Sequence, residues 1–274
     1  MAMSPPEIVS KLTKILETHL PAEMSSLEHV MELIDDLLMA PKKALIKAAA
    51  NNNVERLEHL LQSYNFDLVD AISSASASGH VDVIHRLMHD IREREQARIR
   101  AERSESDDSS DDNNSDDEDE DESNRIEIHD ALFRYIEVAV TIAATNGQVE
   151  IVRTFLPQTV GSGENEEAFV RMNNLTWQTI DEGAANGHFN VVQFAVEFAK
   201  EWGFVDQYIA SPNSDALLRA VENGHDKVAM YLLEIDDIDW DLKRAYEKGI
   251  EVQRLGLVEW IYALSSMYND DVFP

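Results

Sequence analysis

The sequence predicts an all-α protein built from stacked helix-turn-helix units. Two observations predict it: small residues recur at four-residue spacing ahead of a Gly-type turn, and a bulky amphipathic segment follows each turn. A unit of this kind cannot bury its apolar face alone. It must stack on its neighbours, which gives an elongated solenoid whose usual work is holding partners.

Six units are found by anchoring on the turn residue, at Asn52, Gly79, Gly147, Gly187, Gly224 and Gly249. Four positions earlier stand Ala48, Ala75, Ala143, Gly183, Ala220 and Ala245, and four before those Ala44, Ala71, Ala139, Thr179, Ala216 and Asp241. A spacing of four falls on one helical face. Small side chains there let a neighbouring helix approach closely. Gly after the last turn supplies the left-handed backbone that ends a helix at little steric cost, and Asn52 is the next most tolerant residue.

Beyond each anchor the pattern changes to bulky residues at helical offsets: Leu57, Leu60 and Leu61; Val83, Ile84, Leu87 and Met88; Ile151, Val152, Phe155 and Leu156; Val191, Val192 and Val196; Val228, Leu232 and Leu233. In the sixth unit Val252, Leu255, Leu257, Val258 and Ile261 come into register only after an insertion of about four residues, an irregularity common in terminal repeats. The turn-to-turn spacings are 27, 68, 40, 37 and 25 residues.

The stretches Ala75 to Met88, Ala143 to Leu156, Gly183 to Val196 and Ala220 to Leu233 resemble the helix-turn-helix half of the ankyrin repeat. The resemblance covers roughly Ala44 to Leu264. It departs from the family in lacking the Thr-Pro-Leu-His box and in its uneven spacing, so variable loops are expected in place of regular β-hairpin fingers. A generic helical-pair solenoid is the alternative. The resemblance implies that His80, His188 and His225, each following a turn Gly, hydrogen-bond backbone and stitch adjacent repeats together. It also implies a concave binding face built from loop tips and the outward side of the first helices, where Ser74, Ser78, Asn146, Asp181, Glu182, Asn186, Arg219, Glu222, Asn223 and Lys248 stand. Trp177, Tyr208 and Trp240 are read as loop aromatics beside that face, because binding hot spots favour such side chains. Each could instead cap the core.

Four divisions follow. Residues 1–43 form an N-terminal helical cap, with Leu27, Val30, Met31, Ile34, Leu37 and Leu38 on one face of its second helix. Residues 44–103 hold repeats one and two, the last helix extended through Arg92, Arg94, Arg98, Arg100 and Arg103, with Asp90 facing Arg94 and Arg98 facing Glu102. Residues 104–124 hold twelve Asp or Glu, six Ser and three Asn and no apolar side chain, so disorder is expected. Residues 125–274 hold repeats three to six.

Charge excludes one class of partner. The net charge is −30, and removing the twelve acidic residues of the insertion still leaves −18, so nucleic-acid binding is disfavoured. A mostly acidic face selects a basic or polar protein partner. Ser104, Ser109 and Ser115 each precede an acidic residue by three positions, an acceptor pattern for acid-directed kinases. The insertion itself is either a repelling linker or a binding element.

Chemistry finds little purchase. There are no cysteines, no zinc-protease motif, no phosphate-cradling glycine loop and no nucleophile elbow. His85 and His89, four apart with Asp82 one turn earlier, could clamp a metal but read as incidental on a polar helix face. No metal and no cofactor is expected. No early apolar run of signal type and no stretch of membrane-spanning length occurs, so an intracellular protein of the cytoplasm or nucleus, and a monomer, is expected. The reading is a non-enzymatic scaffold presenting an ankyrin-like concave face. The alternative is an acidic chaperone or decoy that sequesters basic proteins through residues 104–124. An endogenous regulator and a host-directed effector look alike.

Overall fold

The computed structural model describes residues 39–106, 117–159, 166–204, 215–235, 238 and 240–267, with side chains throughout except at 103–106, 117–127 and 266–267. The expected N-terminal cap therefore lies almost wholly outside the described residues. Among the described residues every regular element is helical: α1 (Pro41–Ala50), α2 (Val54–Ser63), α3 (Val69–Ser78), α4 (Val81–Ser106), α5 (Asp117–Thr145), α6 (Val149–Phe155), α7 (Glu166–Ala185), α8 (Phe189–Glu201), α9 (Ala216–Glu222), α10 (Asp226–Leu233), α11 (Leu242–Glu251) and α12 (Leu255–Met267). A short 3-10 turn, Leu156–Thr159, follows α6, where Pro157 lacks the N–H that would continue an α-helix.

The helices pair as six hairpins, and the hairpins pack in chain order. Each odd-numbered first helix lies on its own second helix and on the first helix of the next hairpin; the second helices pack on one another likewise. The protein is thus an all-α, repeat-like stack of two helical layers with one continuous apolar core.

Six near-identical corners set this arrangement. A left-handed residue ends the first helix of each hairpin: Asn52 at φ 55°, Gly79 at 81°, Gly147 at 74°, Gly187 at 74°, Gly224 at 75° and Gln253 at 61°. The next residue's N–H then donates to the carbonyl five positions back: Asn53 to Ala48 at 2.9 Å, His80 to Ala75 at 3.0 Å, Gln148 to Ala143 at 2.9 Å, His188 to Gly183 at 2.8 Å, His225 to Ala220 at 2.8 Å and Arg254 to Gly249 at 2.8 Å. This Schellman geometry satisfies carbonyls that a helix end would otherwise leave bare.

The sixth corner corrects the sequence reading. The spacing points to Gly249 as the turn residue, but the left-handed residue is Gln253, four positions later. The apparent four-residue insertion disappears with that shift. Ala245 and Gly249 now occupy the two small-residue positions held elsewhere by Ala216 and Ala220, and both are buried inside α11. Gly249 is a glycine because the helices touch there: a Cβ would lie 2.7 Å from Val258 Cγ2. Gly183 has the same role, where a Cβ would lie 3.0 Å from Val192 Cγ2.

With this register every first helix buries two small residues one turn apart. Ala71, Ala75, Ala139, Ala143, Ala216, Ala220 and Ala245 are all at or below 1% exposure. Thr179 joins them fully buried because its hydroxyl donates to the Leu175 carbonyl at 2.7 Å and leaves only a methyl to pack. The second helices answer with Leu57, Ile84, Val152, Val192 and Ala229, each fully buried.

The acidic run departs from the expected disorder at both ends. α4 continues to Ser106 and α5 begins at Asp117, so Ser104–Ser106 and Asp117–Asn124 are helical, while 107–116 lie outside the described residues. The sequence Asp117 to Glu122 falls at the start of a 29-residue helix, where the aligned peptide dipoles favour negative charge. α4 is laced along its length, the half-buried Arg94 to Asp90 at 2.6 Å and the exposed Arg98 to Glu95 and Glu102 at 2.8 Å each. These contacts hold Arg98 firmly in its charged form, its hydrogen bond to Glu95 acting most strongly.

The corrected register carries a prediction. Ala for Gly inside a helix ordinarily stabilises by roughly 0.5–1 kcal/mol, yet Gly249→Ala is expected to destabilise by about 1–3 kcal/mol through overpacking against Val258. Gln253→Gly, by contrast, is expected to leave stability unchanged or raise it by up to about 1 kcal/mol, since the left-handed strain is relieved. Urea unfolding of the two variants measures both.

Candidate functional site

The surface with the most repeated polar chemistry is the exposed side of the first helices and the corners that end them. After every left-handed corner but the first, the next residue reaches back to the preceding hairpin. The imidazole of His80 donates through Nε2 to the Ala50 carbonyl at 2.8 Å, His188 to Thr145 at 2.9 Å and His225 to Ala185 at 3.1 Å. A carbonyl only accepts, so Nε2 carries the proton in each. Gln148 makes the same contact with its amide, donating to Ala77 at 3.1 Å. In all four cases the acceptor sits two residues before the preceding corner. Arg254 lies over the Gly224 corner, its guanidinium 3.6 Å from Asp226.

These side chains roof the corners they touch. A Cβ on Gly79 would meet Gln148 Oε1 at 2.5 Å, and one on Gly147 would meet His188 Nδ1 at 2.6 Å. The corner glycines are therefore required twice, for backbone conformation and for the neighbour's side chain. Asn51, Ser78, Asn146, Asn186 and Asn223 stand exposed immediately before these corners. Asn223 ties back as well, its amide donating to the Ala185 carbonyl at 2.9 Å.

Along the helices themselves, charged pairs join consecutive hairpins. Lys42 on α1 meets Asp70 on α3 at 2.7 Å. Glu182 on α7 sits between Thr145 of α5 and Arg219 of α9, 3.5 Å from each. Glu222 on α9 meets Lys248 on α11 at 3.5 Å, and Arg244 reaches Asp215 at 3.1 Å. Lys248 also bonds Glu251 at 2.8 Å, and that hydrogen bond pushes its pKa above the ordinary lysine value. Such solvated pairs orient side chains more than they stabilise the fold.

Of the residues expected on a partner face, Asp181, Glu182, Arg219 and Glu222 lie on this surface, the first three half-buried and Glu222 exposed. Trp177 and Trp240 do not. α7 begins at Glu166, which places Trp177 well inside a helix, 3% exposed. Trp240 is 7% exposed and donates its indole N–H to the Leu232 carbonyl at 2.8 Å. The two rings meet edge to face with centroids 6.4 Å apart, so both indoles are core residues. Tyr208 lies outside the described residues, as do Ser109 and Ser115, and Ser104 is in the last turn of α4.

Sequence reasoning did not identify Gln148 or Arg254 as counterparts of the histidines. The signal was available as a shared offset, since both follow the left-handed residue directly. His85 and His89 do not converge: His85 packs on the Phe155 ring at 4.8 Å, while His89 lies 3.4 Å from Glu93. Among the described residues no three His, Asp or Glu side chains are grouped to hold a metal, and no helix is long and apolar enough to cross a membrane.

No family model matches the sequence, and no curated protein or solved structure does.

The roofed corners make a double-mutant prediction. His188→Ala is expected to cost about 0.5–1.5 kcal/mol for its hydrogen bond. Gly147→Ala is expected to cost more on its own than in the His188→Ala background, because the steric part of its penalty leaves with the imidazole while the backbone strain stays. Equal costs in both backgrounds, measured by denaturant unfolding, contradict the roofing contact.

Proposed function

We propose that the chain is a non-enzymatic protein-binding scaffold, an ankyrin-like solenoid whose first-helix face holds a partner. One observation carries the reading: consecutive corners are locked to each other by His80, Gln148, His188 and His225, so the polar groups beside them form a pre-organised row. Binding to such a row orders little of the protein, which is where pre-organised interfaces gain affinity. Glu182, Arg219, Glu222 and Lys248 supply mixed charge there, suited to a basic or polar protein surface. Their mutual pairs are weak enough to be exchanged for contacts with a partner.

The ankyrin-like assignment is supported by the two-layer stacking and by the small-residue register on the first helices. A second reading, sequestration of basic proteins by the acidic run, is supported by twelve carboxylates within residues 104–124. The two separate in affinity purification with mass spectrometry. The full chain is compared with a variant carrying Glu182→Lys, Arg219→Glu and Glu222→Lys, and with one whose run is neutralised to Asn and Gln. Partners lost from the first variant and kept by the second are expected. The reverse pattern, with recovery falling as salt rises, favours sequestration and contradicts the scaffold.

A further inference from the structure

The dipeptide Asn-Gly occurs three times in the chain, beginning at Asn146, Asn186 and Asn223, and each time it forms a left-handed corner. Such a pair carries its own chemistry. Glycine has no side chain, so its backbone nitrogen can reach the carboxamide of the asparagine before it. The Gly nitrogen bonds to Asn Cγ, the Cγ–Nδ2 bond breaks, and ammonia leaves with the proton that the Gly nitrogen gave up. Water then opens the cyclic imide at either carbonyl, giving Asp or an isoaspartyl link whose main chain is longer by a methylene.

All three asparagines are exposed to water, yet the corners hold them out of the geometry this reaction needs. The Ile142 carbonyl accepts both the backbone N–H of Asn146, at 3.1 Å, and its Nδ2, at 2.8 Å. The Glu182 carbonyl does the same for Asn186, at 3.2 and 2.9 Å. Each carboxamide is thereby turned to the N-terminal side of its own residue, away from the Gly nitrogen that follows. Asn223 is held across the hairpins, its Nδ2 on the Ala185 carbonyl at 2.9 Å and its backbone at φ −88°, ψ 0°. The nucleophile is occupied as well. The N–H groups of Gly147, Gly187 and Gly224 donate to Ala144, Ala184 and Val221 at 3.3, 3.3 and 3.2 Å.

We propose that Asn146, Asn186 and Asn223 are sites of spontaneous deamidation controlled by the corners, each reacting only while its own corner is open. The roofing side chain sets how often that happens: His188 over Gly147, His225 over Gly187 and Arg254 over Gly224. An isoaspartyl link then keeps the corner from closing again, because the added methylene carries the next N–H off the carbonyl five residues back.

Site-resolved mass spectrometry of the full chain, aged at mildly alkaline pH with and without guanidinium chloride, tests this. All three sites are expected to convert in the denaturant, and at least about tenfold more slowly in the folded chain. His188→Ala, with its fold verified by circular dichroism, should speed conversion at Asn146 by about threefold or more and leave Asn223 at the wild-type rate. The wild-type comparison stands without that variant. No conversion in the denaturant, equal rates with and without it, or a His188→Ala effect that is absent or the same at all three sites overturns the proposal.

Discussion

The structure depends on one contact, the side chain of each hairpin laid over the left-handed corner of the hairpin before it. That corner can be tight because its residue is glycine at four of the six places, and it is held because a histidine, glutamine or arginine occupies the space a Cβ would fill. The hydrogen bond from the histidine or glutamine lands two residues before the corner, which fixes the longitudinal register of one first helix on the next. Once that register is set, the small residues one and two turns earlier meet their neighbours. Ala139 and Ala143 on α5, or Ala216 and Ala220 on α9, are then fully buried. Slipping by a residue would carry all of them off the contact face.

Locking at the corners also explains why the exposed face can afford weak pairs. Glu182 bridging α5 and α9, or Glu222 facing Lys248, need not hold the hairpins together, because burial and the corner bonds do that. Their carboxylates and cations are displayed, not consumed. The second helices combine a charged pair, Arg86 to Glu58 at 3.1 Å, with cations over rings: Lys227 stands 3.7 Å over the Phe189 ring, and Arg153 lies 4.9 Å from the Phe194 ring, each crossing between hairpins.

Much of this was legible in the sequence, for a stated reason. Spacing of four is a geometric property of helices, so the Ala-Ala-Gly rows announced both the helices and their contact face. The sixth corner was misplaced because glycine has two uses, and Gly249 serves close helix approach while Gln253 takes the strained backbone. Trp177 is inside a helix, not a loop, because element boundaries are weakly encoded: nothing in the residues before it marks how far α7 extends, whereas Trp240 does stand outside the helices and caps the core, the alternative the sequence left open. Helix at the ends of the acidic run was missed because composition measures the capacity to form a core, and a helix start favours acidic residues without one. Gln148 is invisible to a pattern written as a residue type, histidine, when the physical requirement is a side-chain N–H at that offset.

Native-state hydrogen exchange at the corner amides tests the central claim most directly. The backbone N–H groups of His80, Gln148, His188, His225 and Arg254 all donate to carbonyls five residues back, close to the protein surface. If the roofed corners hold the stack in register, these amides exchange only through openings nearly as costly as those of the core helices, and together. Exchange at rates typical of surface turns, independent of one another, would show that the corners are passive connections and would contradict the account.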